Sequence, residues 1–379
     1  MKLMLKAAAL AAVLATASPA LAQDKVKLVT IAELSGPGAT AGVNWKSGIE
    51  LAVEEINAKG GILGRKIDFV AYDTQTNPAN ARAAVQRAID EGTHAVLGPV
   101  YTGSILASMQ VAQRAEIAQL AAGDGAAYTQ QGNPFIFRTS LSQTAAMPKI
   151  AAYLKDVVKA KSVAVVWVNN DFGKGGHDAI VKELASRDIK VAVDLSTEQG
   201  QADFTNDAIK IKNIQADAVF VYLNEEESAR LLVALNDQKV GKPIIGETTI
   251  LSSKVIELAG KAAEGVRGHV GQTIDAPIPA LQEFGKRFQA RFNFLPDHNG
   301  IKGYMAVHAV KWATEKQGKF EPTKLAATLH GATITPADEP GILMETTFDK
   351  NGDVQRESFL AEVVDGRQKI IGRLPKISN

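Results

Sequence analysis

The chain of 379 residues contains no cysteine. That removes disulfides, thiolate–zinc sites, iron–sulfur clusters and thiol nucleophiles together. It also leaves no cysteine to carry a lipid anchor. An excess of either charge is missing too, since 42 Lys and Arg stand against 41 Asp and Glu. A net charge of +1 gives no broad field for holding nucleic acid or an anionic lipid surface. No segment reaches the roughly 20 uninterrupted apolar residues of a membrane-spanning helix. The phosphate-loop, zinc-protease and nucleophile-elbow motifs are absent. Gly36-Pro37-Gly38 opens like a dinucleotide loop, but Ala41 stands at the third glycine position and Pro37 disturbs the turn. Six histidines (His94, His177, His269, His298, His308 and His330) lack ligand spacing and read as packing or surface residues. Asp203 and Asp207 sit at the start of a predicted helix, where acids suit the dipole. No catalytic residue, metal or cofactor is expected.

What is present is a globular composition, 46% hydrophobic and 22% charged, on a length suited to about two domains. Residues 1–22 read as an export signal. Lys2 and Lys6 give a basic start, Ala7 to Ala15 an apolar run, and Ala20-Leu21-Ala22 a cleavage site. Cleavage after Ala22 is expected to leave a near-neutral periplasmic protein. A fold of this size needs no disulfides there.

From residue 26 onward, strand and helix patterns alternate. Val26–Leu34 is a β-branched apolar run, and Ile49, Ala52, Val53 and Ile56 follow at helical spacing. Gly60-Gly61 closes that helix. Strands are predicted at 66–73, 95–100 and 117–122, with helices at 80–91 and 104–115. The pattern restarts with strands at 162–168, 189–195, 218–223, 243–246 and 268–273. Helices are predicted between them, and two more at 279–291 and 300–317. The tail reads as strands at 344–349, 358–364 and 368–374, with Asp365-Gly366 as a hairpin turn. Asp349-Lys350-Asn351-Gly352-Asp353 lacks the spacing of a calcium loop and reads as a tight turn. Repeated strand–helix alternation predicts an α/β fold of two doubly wound parallel sheets, with a ligand crevice beyond the strand C-termini.

Four segments carry a resemblance. They are SGPGATAGVNWKSGIELAVEEINAKGGILGRKI (Ser35–Ile67), YDTQTNPANARAAVQRAI (Tyr72–Ile89), AVLGPVYTGS (Ala95–Ser104) and NDFGKGG (Asn170–Gly176), with Gly246-Glu247 further on. Together they resemble the periplasmic binding proteins of branched-chain amino-acid ABC transporters, from Lys25 to about Leu374. The resemblance implies a two-lobed type I periplasmic binding protein with a three-crossing hinge near Ser140, Ile274 and Thr347. One lobe would take residues 23–140 and 275–346, the other 141–274 and 347–379. It implies a monomeric receptor that closes on an amino acid and delivers it to a membrane permease with cytoplasmic ATPases. It implies no catalysis and no nucleic-acid partner.

A zwitterionic ligand needs donors for its carboxylate, an acceptor for its ammonium and a pocket for its side chain. Tyr101-Thr102-Gly103-Ser104 joins a strand end to a helix start, where hydroxyls and amides can hold a carboxylate. Thr102 or Ser104 could equally be an N-cap. The family's carboxylate-binding hydroxyl falls at Thr102. A second family contact maps to Ala122, whose carbonyl is the expected acceptor, and to Asp124 in place of a family threonine. Asp124 is either a ligand contact or a loop cap. The ammonium-binding glutamate of the family maps to Glu247, one residue out of register. Glu225-Glu226-Glu227 reads instead as the acidic first turn of a helix behind Asn224.

Phe172 and Asn224 stand where the family has ligand-facing tyrosines, and Ala41 replaces another aromatic. Trp45 either refills the pocket or belongs to the core. Lys302 lies at a position that is apolar in the family, so it is either a contact to an acidic ligand or a solvated lysine. These departures open the ligand's identity. Burying one leucine side chain yields about 1.5–3 kcal/mol, whereas micromolar affinity needs about 8 kcal/mol, so the polar contacts decide selectivity. An aromatic or other small carboxylate is the alternative ligand. A ligand-sensing module and an exported hydrolase are the remaining alternatives.

Overall fold

The computed structural model describes residues 25–376. The export signal read at residues 1–22 lies outside the described residues. In chain order the first half runs β1 (Val26–Ala32), α1 (Ala39–Ala58), β2 (Ile67–Asp73), α2 (Pro78–Asp90), β3 (Val96–Leu97), α3 (Thr102–Arg114), β4 (Gln119–Ala121) and β5 (Ile136–Arg138). Next come α4 (Gln143–Asp156), β6 (Ser162–Val168), α5 (Asp171–Ala185), β7 (Lys190–Thr197), α6 (Thr205–Asn213) and β8 (Ala218–Tyr222). They are followed by α7 (Glu225–Asp237), β9 (Ile244–Glu247), α8 (Ser253–Ala259) and β10 (Arg267–Val270). The last stretch holds α9 (Pro279–Phe292), α10 (His298–Gln317), α11 (Pro322–Leu329), β11 (Thr333–Ile334), β12 (Thr346–Phe348) and β13 (Val354–Gln355). β14 (Ser358–Val364) and β15 (Arg367–Leu374) complete it.

Two sheets result. The first, ordered β2-β1-β3-β4-β5, is parallel throughout. The second, ordered β15-β14-β10-β9-β8-β6-β7, has five parallel strands. The β14–β15 hairpin is added antiparallel at its edge. Its turn has Asp365 at φ 53° and Gly366 at φ 70°, the left-handed pair that a two-residue hairpin of this kind requires. Strand order reverses at the same place in both sheets, between β1 and β3 and between β6 and β8. At such a reversal neighbouring crossover helices leave on opposite faces, which opens a crevice at the carboxyl ends of the strands.

Each sheet is covered on both faces. Leu28, Leu97, Trp45, Ile49, Ile301 and Val307 pack one face of the first sheet, and Val29, Ile31, Val85 and Val111 the other. Val166, Val219, Leu231 and Leu232 pack one face of the second sheet, and Val165, Phe220, Met147 and Ile180 the other. Strands buried on both faces explain the continuous apolar runs in the sequence.

The strand expected at 344–349 joins neither main sheet. β12 pairs with β11 and β13 in a small antiparallel sheet. Phe348 packs against Phe137 of β5, and the Gly352 carbonyl accepts from the Arg138 amide at 2.8 Å. The last passage between the halves therefore falls between β13 and β14, later than the expected Thr347. The segment 349–353 is the tight turn expected, with the Asp349 carboxylate accepting from the amides of Asn351 and Asp353. Among the described residues no helix is long and apolar enough to cross a membrane.

Candidate functional site

The carboxyl ends of the two sheets face one another across a small cavity. Its walls come from both strand-order reversals. Ala41 follows β1, Val100, Tyr101 and Thr102 follow β3, and Ala122, Gly123 and Asp124 follow β4. From the second half come Phe172 after β6, Asn224 and Glu225 after β8, and Thr249 after β9. The start of α10 supplies His298, Asn299 and Lys302.

Close strand–helix turns bring these groups together. Gly42 and Gly173 hold equivalent places in the two halves, in the first turn of α1 and of α5. A Cβ would lie 2.0 Å from the Glu33 carbonyl oxygen at Gly42 and 1.7 Å from that of Val168 at Gly173. Only glycine lets the helix start so close to the preceding strand end.

Seven of the ten sequence-derived candidates line the cavity: Tyr101, Thr102, Ala122, Asp124, Phe172, Asn224 and Lys302. Three do not. Trp45 is fully buried in the core, and its indole N–H donates to the Thr30 hydroxyl at 2.9 Å. It lies one helical turn beyond Ala41, beneath the cavity floor. Ser104 is buried and its side chain is turned to the Glu33 carboxylate. Glu247 is the last residue of β9 and pairs in register with His269 of β10. Its carboxylate is held by the Thr248 hydroxyl and by the His269 ring, 3.2 Å away. An alternating strand directs it to the face that Ile245 and Tyr222 occupy, and it does not line the cavity.

Thr102 is not a helix cap. α3 starts two residues before the predicted helix, its N-cap residue is Tyr101, and no side chain caps it. The Thr102 hydroxyl is buried, lines the cavity and has no hydrogen-bond partner. Buried hydroxyls are ordinarily bonded, so this one is free for a ligand. The first-turn amides of α3 open toward the same space. The turn before α3 is fixed from below, because the buried Glu33 carboxylate accepts from the amides of Val100 (3.1 Å) and Tyr101 (3.4 Å). Burial raises the Glu33 pKa, and those hydrogen bonds counter it.

Lys302 and Asp124 form a buried pair. The Lys302 ammonium lies 3.0 Å from the Asp124 carboxylate and donates to the Ala122 carbonyl at 3.1 Å. Burial pushes the Asp124 carboxyl up, and the neighbouring ammonium outweighs it, so the group titrates below the ordinary range. Lys302 is thus no solvated lysine. Behind the loop, the fully buried Arg138 donates to the carbonyls of Gly123 (2.6 Å) and Gly125 (2.7 Å) and to Asp353 (2.5 Å). Its guanidinium also lies over the Tyr128 ring. This cation fixes the backbone on both sides of Asp124.

The opposite wall carries an aromatic stack. Phe172 stacks on Tyr222 with ring centres 4.2 Å apart. Gln143 fixes that pair by donating to the Phe172 carbonyl and the Tyr222 hydroxyl. The Asn224 amide donates to Glu227, which also accepts from the Gly200 amide, so Glu227 has the structural role expected of the acidic run. Glu225 does not. It is buried in the cavity wall, 3.5 Å from the Asn299 amide nitrogen. Burial, and then Asp297 and Glu226, push its pKa well above the ordinary carboxyl value. Glu226 reaches the other half, accepting from the Thr40 hydroxyl at 2.5 Å.

His298 and Asn299 were also missed. The predicted helix began at Gly300, but Asp297 caps α10 by accepting from the amides of Asn299 (2.7 Å) and Gly300 (3.2 Å). Pro296-Asp297 carried that signal. His298 is buried, and desolvation with Lys302 lowers its pKa to about 3, so its ring is neutral. Its Nδ1 has no partner.

The sequence profile of the family described as periplasmic binding protein matches residues 25–368. The chain belongs to that family. A Pseudomonas aeruginosa protein named as binding leucine, isoleucine, valine, threonine and alanine is 26% identical over 350 residues, 90% of this chain and 91% of that one. The substrate-binding protein of a Streptococcus pneumoniae branched-chain amino acid transporter, crystallised with isoleucine, superposes with a TM-score of 0.83 at 22% identity. That match covers 93% of this chain and 100% of the other. A solute-binding protein of an R. palustris ABC transporter, crystallised with benzoate, superposes with a TM-score of 0.85 at 20% identity, covering 94% and 98%. At these identities the two structures show a shared fold, that of two parallel-sheet lobes.

Proposed function

We propose that this family member is the solute receptor of an ABC importer, taking an amino acid or a related small carboxylate into the cavity between its lobes. One observation carries the reading: the buried, unpartnered Thr102 hydroxyl at the start of α3, facing a cavity at the strand-order reversals of both sheets. The amino-acid form is supported by the named ligands of the curated relatives. The ligand-binding residues in this reading are Tyr101, Thr102, Ala122, Asp124, Phe172, Asn224 and Lys302, joined by Glu225, His298 and Asn299.

The lobes divide at the three passages, with residues 25–140 and 275–355 in one and 141–274 and 356–376 in the other. The receptor acts as a monomer without turnover, in the periplasm after removal of residues 1–22. It passes its ligand to a permease driven by cytoplasmic ATPases. Thr40–Glu226 and Asn299–Glu225 span the two lobes across the cleft.

A thermal-shift screen of amino acids, short aliphatic acids, dicarboxylates and benzoates tests the assignment. A ligand at a hundred times its Kd stabilises the folded state by about 2.7 kcal/mol. At least one carboxylate should give such a shift, and Thr102→Ala should reduce it. If no carboxylate shifts the transition, the receptor reading is wrong.

A further inference from the structure

The cavity already contains a cation. Its two strongest acceptors for a ligand ammonium are the Ala122 carbonyl and the Asp124 carboxylate, and both are engaged by the Lys302 ammonium. The lysine is anchored on α10, and its side chain is only 4% exposed. A lysine ammonium has three N–H donors, and two are used in these contacts. The third is left for the cavity. The Thr102 hydroxyl faces the same space without a partner, so this wall presents donors while its charged acceptor is already paired.

The opposite wall offers one acid, Glu225. Ionising it to receive an ammonium works against burial and against Asp297 and Glu226 nearby. The acid that could have served instead, Glu247, does not line the cavity, and one of its oxygens is held by Thr248 and His269. A free α-amino group seeking a carboxylate partner in this cavity would have to displace Lys302 from two contacts or ionise Glu225 among like charges. Both are costly in a buried site.

We infer that the ligand is a small monocarboxylate bearing no ammonium, because Lys302 supplies from the protein the positive charge that an amino acid would bring. This rests on the receptor reading above and names its substrate class. The carboxylate binds at the Thr102 hydroxyl and the third N–H of Lys302, and its apolar body lies against Phe172.

Matched pairs test it directly. Calorimetric titration of the full-length mature protein would compare L-leucine with 4-methylpentanoate and L-phenylalanine with 3-phenylpropanoate, with benzoate alongside. The amine-free member of a pair should bind at least tenfold tighter. If leucine or phenylalanine binds as tightly as its amine-free partner or more tightly, the inference fails and the receptor reading stands. If none of the acids in the thermal-shift screen or these titrations binds, both fail. Lys302→Met supplies a second readout, since it bares Asp124 and the Ala122 carbonyl. The variant should lose at least tenfold for the amine-free acid and shift the ratio toward the amino acid by at least tenfold. An unchanged ratio in a folded Lys302→Met protein would overturn the role given to the lysine.

Discussion

Glu225 lies just past β8 and Glu247 ends β9, two neighbouring parallel strands, and both acids are buried. The acid at 247 matches a family position and yet does not line the cleft. The acid at 225 looks like an ordinary helix-start residue and lines it. Two local differences explain this. Glu247 still belongs to its strand, where alternation and the His269 register choose its face. Glu225 stands past its strand, in the first turn of α7 beyond Asn224, so it lies over the carboxyl edge of the sheet. A position relative to a strand end decides access to an interlobe site more than residue type does.

The same comparison extends to the two walls. The first-lobe wall is rigid and polar, with Asp124 paired to Lys302 and its loop fixed by Arg138. The second-lobe wall is an aromatic stack beside a crowded acid. The largest effect should come from breaking the rigid wall. Arg138→Met leaves Asp353 buried and unpaired and strips the Gly125 carbonyl of its donor, which should cost about 3–5 kcal/mol of stability by denaturant unfolding. A loss under about 1 kcal/mol would mean that the loop keeps its shape without the guanidinium.

Titration of Asp297 comes next. Burial raises its pKa from 3.8 to about 6. The folded protein therefore holds this proton more tightly than the unfolded chain. The associated stabilisation is complete below about pH 4 and lost as pH rises through about 6, a change of about 3 kcal/mol. Asp297→Asn keeps a capping side chain and removes the titration. Relative to wild type it should gain stability between pH 4 and pH 7.5, and a constant difference across that range would refute the shift.

Thr102→Ala should weaken a carboxylate ligand about tenfold, the loss of one hydrogen bond to a charged group. It should change stability by under about 1 kcal/mol, since the hydroxyl has no protein partner to lose. Unchanged affinity by calorimetry would remove Thr102 from the site. The smallest binding effect belongs to the acid that does not line the cleft: Glu247→Gln should leave affinity within about twofold while lowering stability by about 1 kcal/mol. A larger loss of affinity would place Glu247 in the ligand's environment and undo the contrast with Glu225.

Much of the fold could be read from the sequence because strands buried on both faces leave continuous apolar runs. Val26 to Ala32 and Ser162 to Val168 are such runs, and each is followed by a helix of clear period. β5 and α4 could not be read this way. Ile136–Arg138 is only three residues long, and α4 carries Pro148 in its interior, which by its local signal ends a helix. Along the cavity, Thr102 and Phe172 were legible because they follow strand ends in segments with a family resemblance, and Asp124 because it follows the end of β4. Lys302 was legible as a position, but its partners were not. The Lys302–Asp124 contact joins residues 178 apart in the chain, and no local pattern encodes such a pair.

The most direct test of the account is a crystal structure of the mature protein with its tightest carboxylate ligand. The account predicts the ligand carboxylate within hydrogen-bond distance of the Thr102 hydroxyl and the Lys302 ammonium, with Asp124 still paired to Lys302. A carboxylate bound elsewhere, or a ligand ammonium on Asp124 with Lys302 displaced, would contradict it.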